Sequence, residues 1–197
     1  MKRGIYSLFT LVAFGFAQLA CAKPKLTEAK AQQFAQGVMR EVLPDLVLAL
    51  QQKVSESGTA AAVPFCNEFS PRYGKLKIER WAPKAVNELG AKSFRFKRIS
   101  ARNRNPNNAP TEAQARILAG WENGSNKAAF FEDGGKFYTM HPIRISQPLC
   151  LGCHGSATDI DAKTAAAISK LYPQDKATGY KMGDLRGAFV TEMEFEK

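Results

Sequence analysis

Histidine and cysteine are scarce in this chain: two histidines and four cysteines occur in 197 residues. A structural zinc site takes four thiolates or imidazoles, usually as two close pairs. Only one close pair is present, Cys150 and Cys153, so an ordinary zinc module has too few donors. Acidic side chains are also in deficit, 18 against 28 basic ones. There is no internal repeat, no low-complexity tract and no second catalytic constellation, and the chain is therefore expected not to be an enzyme.

What is present is Cys150-Leu151-Gly152-Cys153-His154, a C-x-x-C-H pentapeptide. That spacing is the attachment signature of c-type haem: each thiol can add to one vinyl group of the porphyrin, and the adjacent imidazole can bind the iron from one face. A thioredoxin-like C-x-x-C would stand at the head of a helix in a βαβ context and has no use for the histidine. The expected cofactor is one haem c, bonded through Cys150 and Cys153, with His154 as an axial ligand.

The amino terminus has the three parts of a secretory signal. Lys2 and Arg3 are the positive region, Ile5 to Leu19 carry no charge, and Ala20-Cys21-Ala22 reads as an A-x-A cleavage site. Residues 1–22 are thus expected to be removed and 23–197 to form one exported, periplasmic domain. An uncleaved anchor and a lipid attached to Cys21 are the alternatives. Loss of Lys2 and Arg3 takes the formal charge from +10 to +8. A basic exported domain can steer toward acidic redox partners or make peripheral contact with an anionic membrane surface. Nucleic acid is not an expected partner outside the cytoplasm. With Cys21 gone and two thiols given to haem, Cys66 is left alone in an oxidising compartment. It is either a small buried hydrophobe or a second iron ligand.

Periodicity predicts a helix from Thr27 to Val54, with an apolar stripe Phe34, Val38, Val42, Leu46, Leu50, kinked or restarted at Pro44. A break follows over 55–60, and Pro64 opens a short helical segment carrying Phe65, Cys66 and Phe69. Ser93 to Ser100 alternates as a strand, with a slip at Arg98 and Ile99 that suggests a bulge. Residues 101–110, rich in Asn and Pro, read as an ordered loop. Thr111 and Gln114 make a capping box for a helix ending near Gly120. Lys127 to Glu132 and Lys136 to Ile145 form a hairpin around Asp133-Gly134-Gly135, and the C-x-x-C-H motif follows in a turn. Asp161 caps a helix from Ala162 to Leu171, and Ala188 to Phe195 is a last strand. The fold class is α+β with an antiparallel sheet.

Three ordered segments, Arg102-Asn-Arg-Asn-Pro-Asn-Asn-Ala-Pro110, Cys150-Leu-Gly-Cys-His-Gly155 and Tyr172 to Gly187, with an upstream Cys66-Asn67, resemble the c-type haem family of domain of unknown function. The resemblance spans nearly all of 23–197. It implies a PAS-like fold with a long N-terminal helical segment, found alone in exported proteins or as the sensor part of histidine kinases and cyclases. It also implies that Cys150 and Cys153 hold the haem, that His154 is one ligand and that Cys66 matches an unusual cysteine ligand on the other face. Pro64 departs from the continuous helix expected just before that cysteine. His141 and Met140 are the alternative ligands.

A thiolate ligand lowers the reduction potential of haem iron, whereas methionine raises it. His154 with Cys66 predicts a low-potential electron carrier serving a redox partner protein. The alternative is a redox or gas sensor acting through a membrane sensor component, since nothing resembling an output module follows the domain. Arg102 and Arg104 are the candidates for the haem propionates, because an arginine fork matches a carboxylate. Trp81 and Trp121 read as packing residues.

Overall fold

The computed structural model describes residues 26–196, apart from the side chains of residues 69 and 70. The expected signal segment and Cys21 lie outside the described residues. The element order is α1 (Glu28–Leu89), β1 (Ser93–Ile99), α2 (Glu112–Trp121), β2 (Ala129–Asp133), β3 (Lys136–Arg144), α3 (Pro148–His154), α4 (Ala162–Leu171) and β4 (Leu185–Glu194), with a single 3-10 turn at Pro106–Asn108. This is the α+β arrangement the sequence points to, a four-stranded antiparallel sheet in the order β1-β4-β3-β2 with a long helical segment before it. No helix among the described residues is long and apolar enough to cross a membrane.

The helical run is far longer than expected. It starts at Thr27, whose hydroxyl accepts from the Lys30 amide at 3.3 Å, and continues to Leu89, through Pro44 and Pro64. Its one non-helical residue is Gly58, at φ 78° and ψ 171°, a conformation essentially confined to glycine. There the helix folds into a hairpin whose arms, 28–57 and 59–89, lie side by side. Trp81 sits edge-on to Phe34 at 5.1 Å and donates from Nε1 to Glu41 at 2.9 Å. Lys77 pairs with Asp45 at 3.3 Å, and Tyr73 donates to the same carboxylate. The expected break over 55–60 is therefore present, at Gly58, whereas packing between the arms outweighs the backbone hydrogen bond that each interior proline removes, so the helix runs on through Pro44 and Pro64.

The pleat gives the sheet two faces. Phe94, Phe137 and Met193 face the α1 hairpin and join Phe34, Val38, Val42 and Ala85 in the larger core. Ile99, Tyr138, Met140, Ala188 and Val190 face the other way, onto Leu118 and Trp121 of α2. The capping box Thr111–Gln114 and the Asp161 cap form as read, and the hairpin closes at Gly134-Gly135 with Asp133 opposite Lys136. The bulge falls elsewhere than expected. β1 keeps an unbroken register with β4, so Arg98 is simply a charged residue on the α1-facing side. The irregularity lies between β3 and β4: Ile143 is opposite Gly187 and Arg144 opposite Leu185, leaving Arg186 as the extra residue. β4 accordingly begins at Leu185 rather than Ala188.

At the bend of the hairpin Thr59 bonds to Asp161 at 2.9 Å and to Thr164 at 2.6 Å, joining α1 to the start of α4. Alanine at Gly58 is predicted to destabilise the protein by about 1–3 kcal/mol. At Gly74, a helical position with nothing near a built Cβ, alanine should instead stabilise by about 0.5–1 kcal/mol. Thermal or urea unfolding of the two variants checks both signs.

Candidate functional site

The C-x-x-C-H motif forms helix α3 rather than a turn. Pro148 occupies its first turn, where a missing N–H costs nothing. Helical spacing then puts Cys150, Cys153 and His154 on one face. Both thiols are free and partly buried. Gly152 packs against the α1 bend, where a built Cβ would stand 3.0 Å from Thr59.

His154 is held at two points by the segment before β4. Its Nδ1 lies 2.7 Å from the Ala177 carbonyl, and its own carbonyl accepts from the Tyr180 amide at 2.9 Å. The Tyr180 ring stands perpendicular to the imidazole at 6.2 Å. A carbonyl only accepts, so Nδ1 carries the hydrogen and Nε2 keeps its lone pair. Burial, then the positive charges of Arg186, Arg104 and Arg98, push the imidazole pKa down to about 3, with the Ala177 carbonyl opposing. The ring is therefore neutral at physiological pH, in the tautomer that a metal requires.

Arg104 fixes that segment. Its Nε and Nη2 each lie 3.1 Å from an oxygen of Asp175, and Nη2 also donates to the Cys153 carbonyl at 2.6 Å. Both side chains of this pair are nearly buried, 13% and 9% exposed. Arg102 donates to the Thr178 and Lys176 carbonyls and lies 4.1 Å over the Tyr180 ring. Both arginines thus brace residues 175–180 against α3, an engagement that the propionate expectation did not foresee.

Cys66 reaches the same place from the second arm of α1. Burial pushes its thiol pKa up, while Arg98 and Arg104 pull it down. It lies within electrostatic reach of Cys153 and Tyr172. Pro64 does not interrupt the helix before it. The fold thus gathers Cys66, Cys150, Cys153, His154 and Arg104, with Arg102 one layer further out. Met140 is fully buried on the opposite face of the sheet, among the α2 contacts. His141 points to the α1 side, cross-strand from Phe189, and its Nε2 is buried with no hydrogen-bond partner.

Sequence reasoning passed over Asp175, Ala177, Tyr180, Arg98 and Arg186. Arg186 left one trace, a lone cation ahead of the apolar run Gly187 to Val190. Among the described residues, no group of three or more His, Cys, Asp or Glu side chains could hold a metal ion, so the donors of a four-coordinate zinc site are not assembled.

A family model, Tll0287-like (Tll0287), matches residues 26–193, and the chain belongs to that family. Among solved structures it is similar to the crystal structure of the cyanobacterial heme-protein Tll0287, at 24% identity and a TM-score of 0.49, over 80% of this chain and 97% of that one. No curated protein matches.

Asp175→Ala leaves the Arg104 cation buried without its partner and should cost about 3–5 kcal/mol. Removing Arg104 as well should cost less than the two single changes added, which a double-mutant cycle measures. In a Cys150→Ala/Cys153→Ala chain, the unfolded state takes up a proton at His154 near pH 6.5 that the folded state refuses until about 3. Stability then falls as pH drops through that window. His154→Gln should flatten this part of the pH profile of urea midpoints.

Proposed function

We propose that this chain is a haem protein, holding one haem c through Cys150 and Cys153 with His154 and Cys66 as the axial ligands, and that it carries electrons at low potential in the periplasm. The observation that carries the reading is His154: neutral, with Nδ1–H tied to Ala177 and Nε2 left to bind, on the helix face that also presents two free thiols. Membership of the family of a described heme-protein agrees with it. The donor set fits haem: an imidazole whose second nitrogen is hydrogen-bonded to a carbonyl is the usual form of a metal-binding histidine. Bound haem supplies a one-electron iron couple.

The chain's own residues set how that couple behaves. Ala177 orients the imidazole and raises its basicity. Arg98 and Arg104 favour the charged form of the Cys66 sulfur against the burial that disfavours it. With His154 and Cys66 both bound to it, the iron would keep no position for a substrate, so the protein is read as a non-enzyme. Its basic surface steers it to a redox partner protein or to anionic headgroups, and nucleic acid is not a partner.

One observation favours a second reading. The buried Cys66 thiol prefers its protonated form, and a sulfur that takes up a proton leaves its metal readily. Release on reduction would make the chain a redox or gas sensor acting through a membrane sensor component.

The test is expression in a strain with haem-attachment machinery. Acidified organic solvent should leave the red pigment on the polypeptide, and a protein stripped of colour contradicts the reading. Cys66→Ala should change the visible spectrum and raise the midpoint potential; an unchanged spectrum removes Cys66 from the site. Carbon monoxide should leave the reduced wild type unaltered if it is a carrier, and bind if Cys66 departs.

A further inference from the structure

We propose that Arg186 is the cation that holds a haem propionate, a role distinct from those of Arg102 and Arg104. The inference rests on the haem reading above. Arg186 is the extra residue of the β3–β4 irregularity. A bulge of this kind re-aims one side chain out of the regular alternation, and such bulges concentrate beside functional sites. Here it turns the guanidinium over the Tyr180 ring, 5.5 Å from its centre. Tyr180 is the residue whose ring meets the His154 imidazole edge-on and whose amide binds the His154 carbonyl. Arg186 thus borders a ring that itself borders the metal-binding imidazole.

Among the described residues its charge has no ion-pair partner, and the nearest opposing charge, Asp175, acts only at a distance. Nη1 donates to the Arg102 carbonyl at 3.3 Å, and among the described residues no carboxylate lies within ion-pair distance of the guanidinium. The nearest acid of the segment, Asp175, is taken in bidentate fashion by Arg104. The surroundings add positive charge rather than relieve it: Arg98 faces the α1 side of the sheet, and Arg104 lies across the segment. Burial first, and then these two neighbours, depress even the arginine pKa, with Tyr180 and Asp175 opposing. A partly buried guanidinium beside two more cations is costly unless an anion accompanies it. A propionate is the carboxylate that a haem on Cys150, Cys153 and His154 brings with it, and an arginine fork fits that group.

The experiment uses the holoprotein, with pigment shown to survive acidified solvent before any variant is compared. Absence of attached pigment would defeat the haem reading and this inference with it, whereas with pigment attached the Arg186 variants decide this inference alone. Arg186→Gln keeps a donor for the Arg102 carbonyl but removes the charge, while Arg186→Lys keeps the charge. A cation beside the haem stabilises the reduced state, so the glutamine variant should show a lowered midpoint potential. The lysine variant should lie close to the wild type. Resonance Raman spectra of the wild type and the lysine variant give an independent reading should the glutamine variant not fold: the propionate bending mode should move when guanidinium becomes ammonium. Equal shifts in the glutamine and lysine variants, no shift in the glutamine variant, or an unmoved propionate mode would each overturn the proposal.

Discussion

Everything at the site depends on one hydrogen bond, from Nδ1–H of His154 to the carbonyl of Ala177. It fixes the tautomer and the ring plane, and leaves Nε2 as the only free lone pair of the imidazole. A bond of this kind is worth about 1 kcal/mol in isolation, too little to hold a loop in place alone. The segment is therefore braced by stronger means, the nearly buried Arg104–Asp175 pair and the Arg102 contacts to Lys176 and Thr178. These residues act through His154 rather than on any bound group, and their value lies in positioning.

The second constraint is the hairpin of α1. Cys66 is far from His154 in sequence, and the fold brings them together only because the helix reverses at Gly58 and is anchored there to α4 through Thr59, Asp161 and Thr164. The other end of the hairpin is pinned to the sheet by Phe34, Trp81 and Phe94. Between these two anchors lies the sheet face carrying Arg98, Phe189 and His141. On that face the Nε2 of His141 is buried with no hydrogen-bond partner among the described residues. Polar groups left over inside a fold ask for a polar occupant.

Local chemistry was legible in the sequence, and long-range chemistry was not. The caps at Thr111 and Asp161, the Gly-Gly turn and the C-x-x-C-H spacing are decided within a few residues and could be read directly. The break over 55–60 is real and falls at Gly58, but Pro44 and Pro64 do not interrupt the arms, because their local helix-breaking signal loses to packing between arms that no window along the chain can see. The slip at Arg98 suggested a bulge because a charged side chain stood where an apolar one was due. The register shows instead an inward-facing arginine and a bulge at Arg186. Arg102 and Arg104 are named from the sequence as propionate candidates; the contacts the fold gives them, to Asp175 and to main-chain carbonyls of residues 176–178, join segments far apart in the chain and only the fold displays them.

The measurement that bears most directly on the central claim is the ferric electronic ground state of the purified wild-type protein, read by electron paramagnetic resonance with near-infrared magnetic circular dichroism. Imidazole from His154 and sulfur from Cys66 predict a single low-spin species with a thiolate charge-transfer band. A high-spin spectrum, or a low-spin one lacking the sulfur band, would contradict the account.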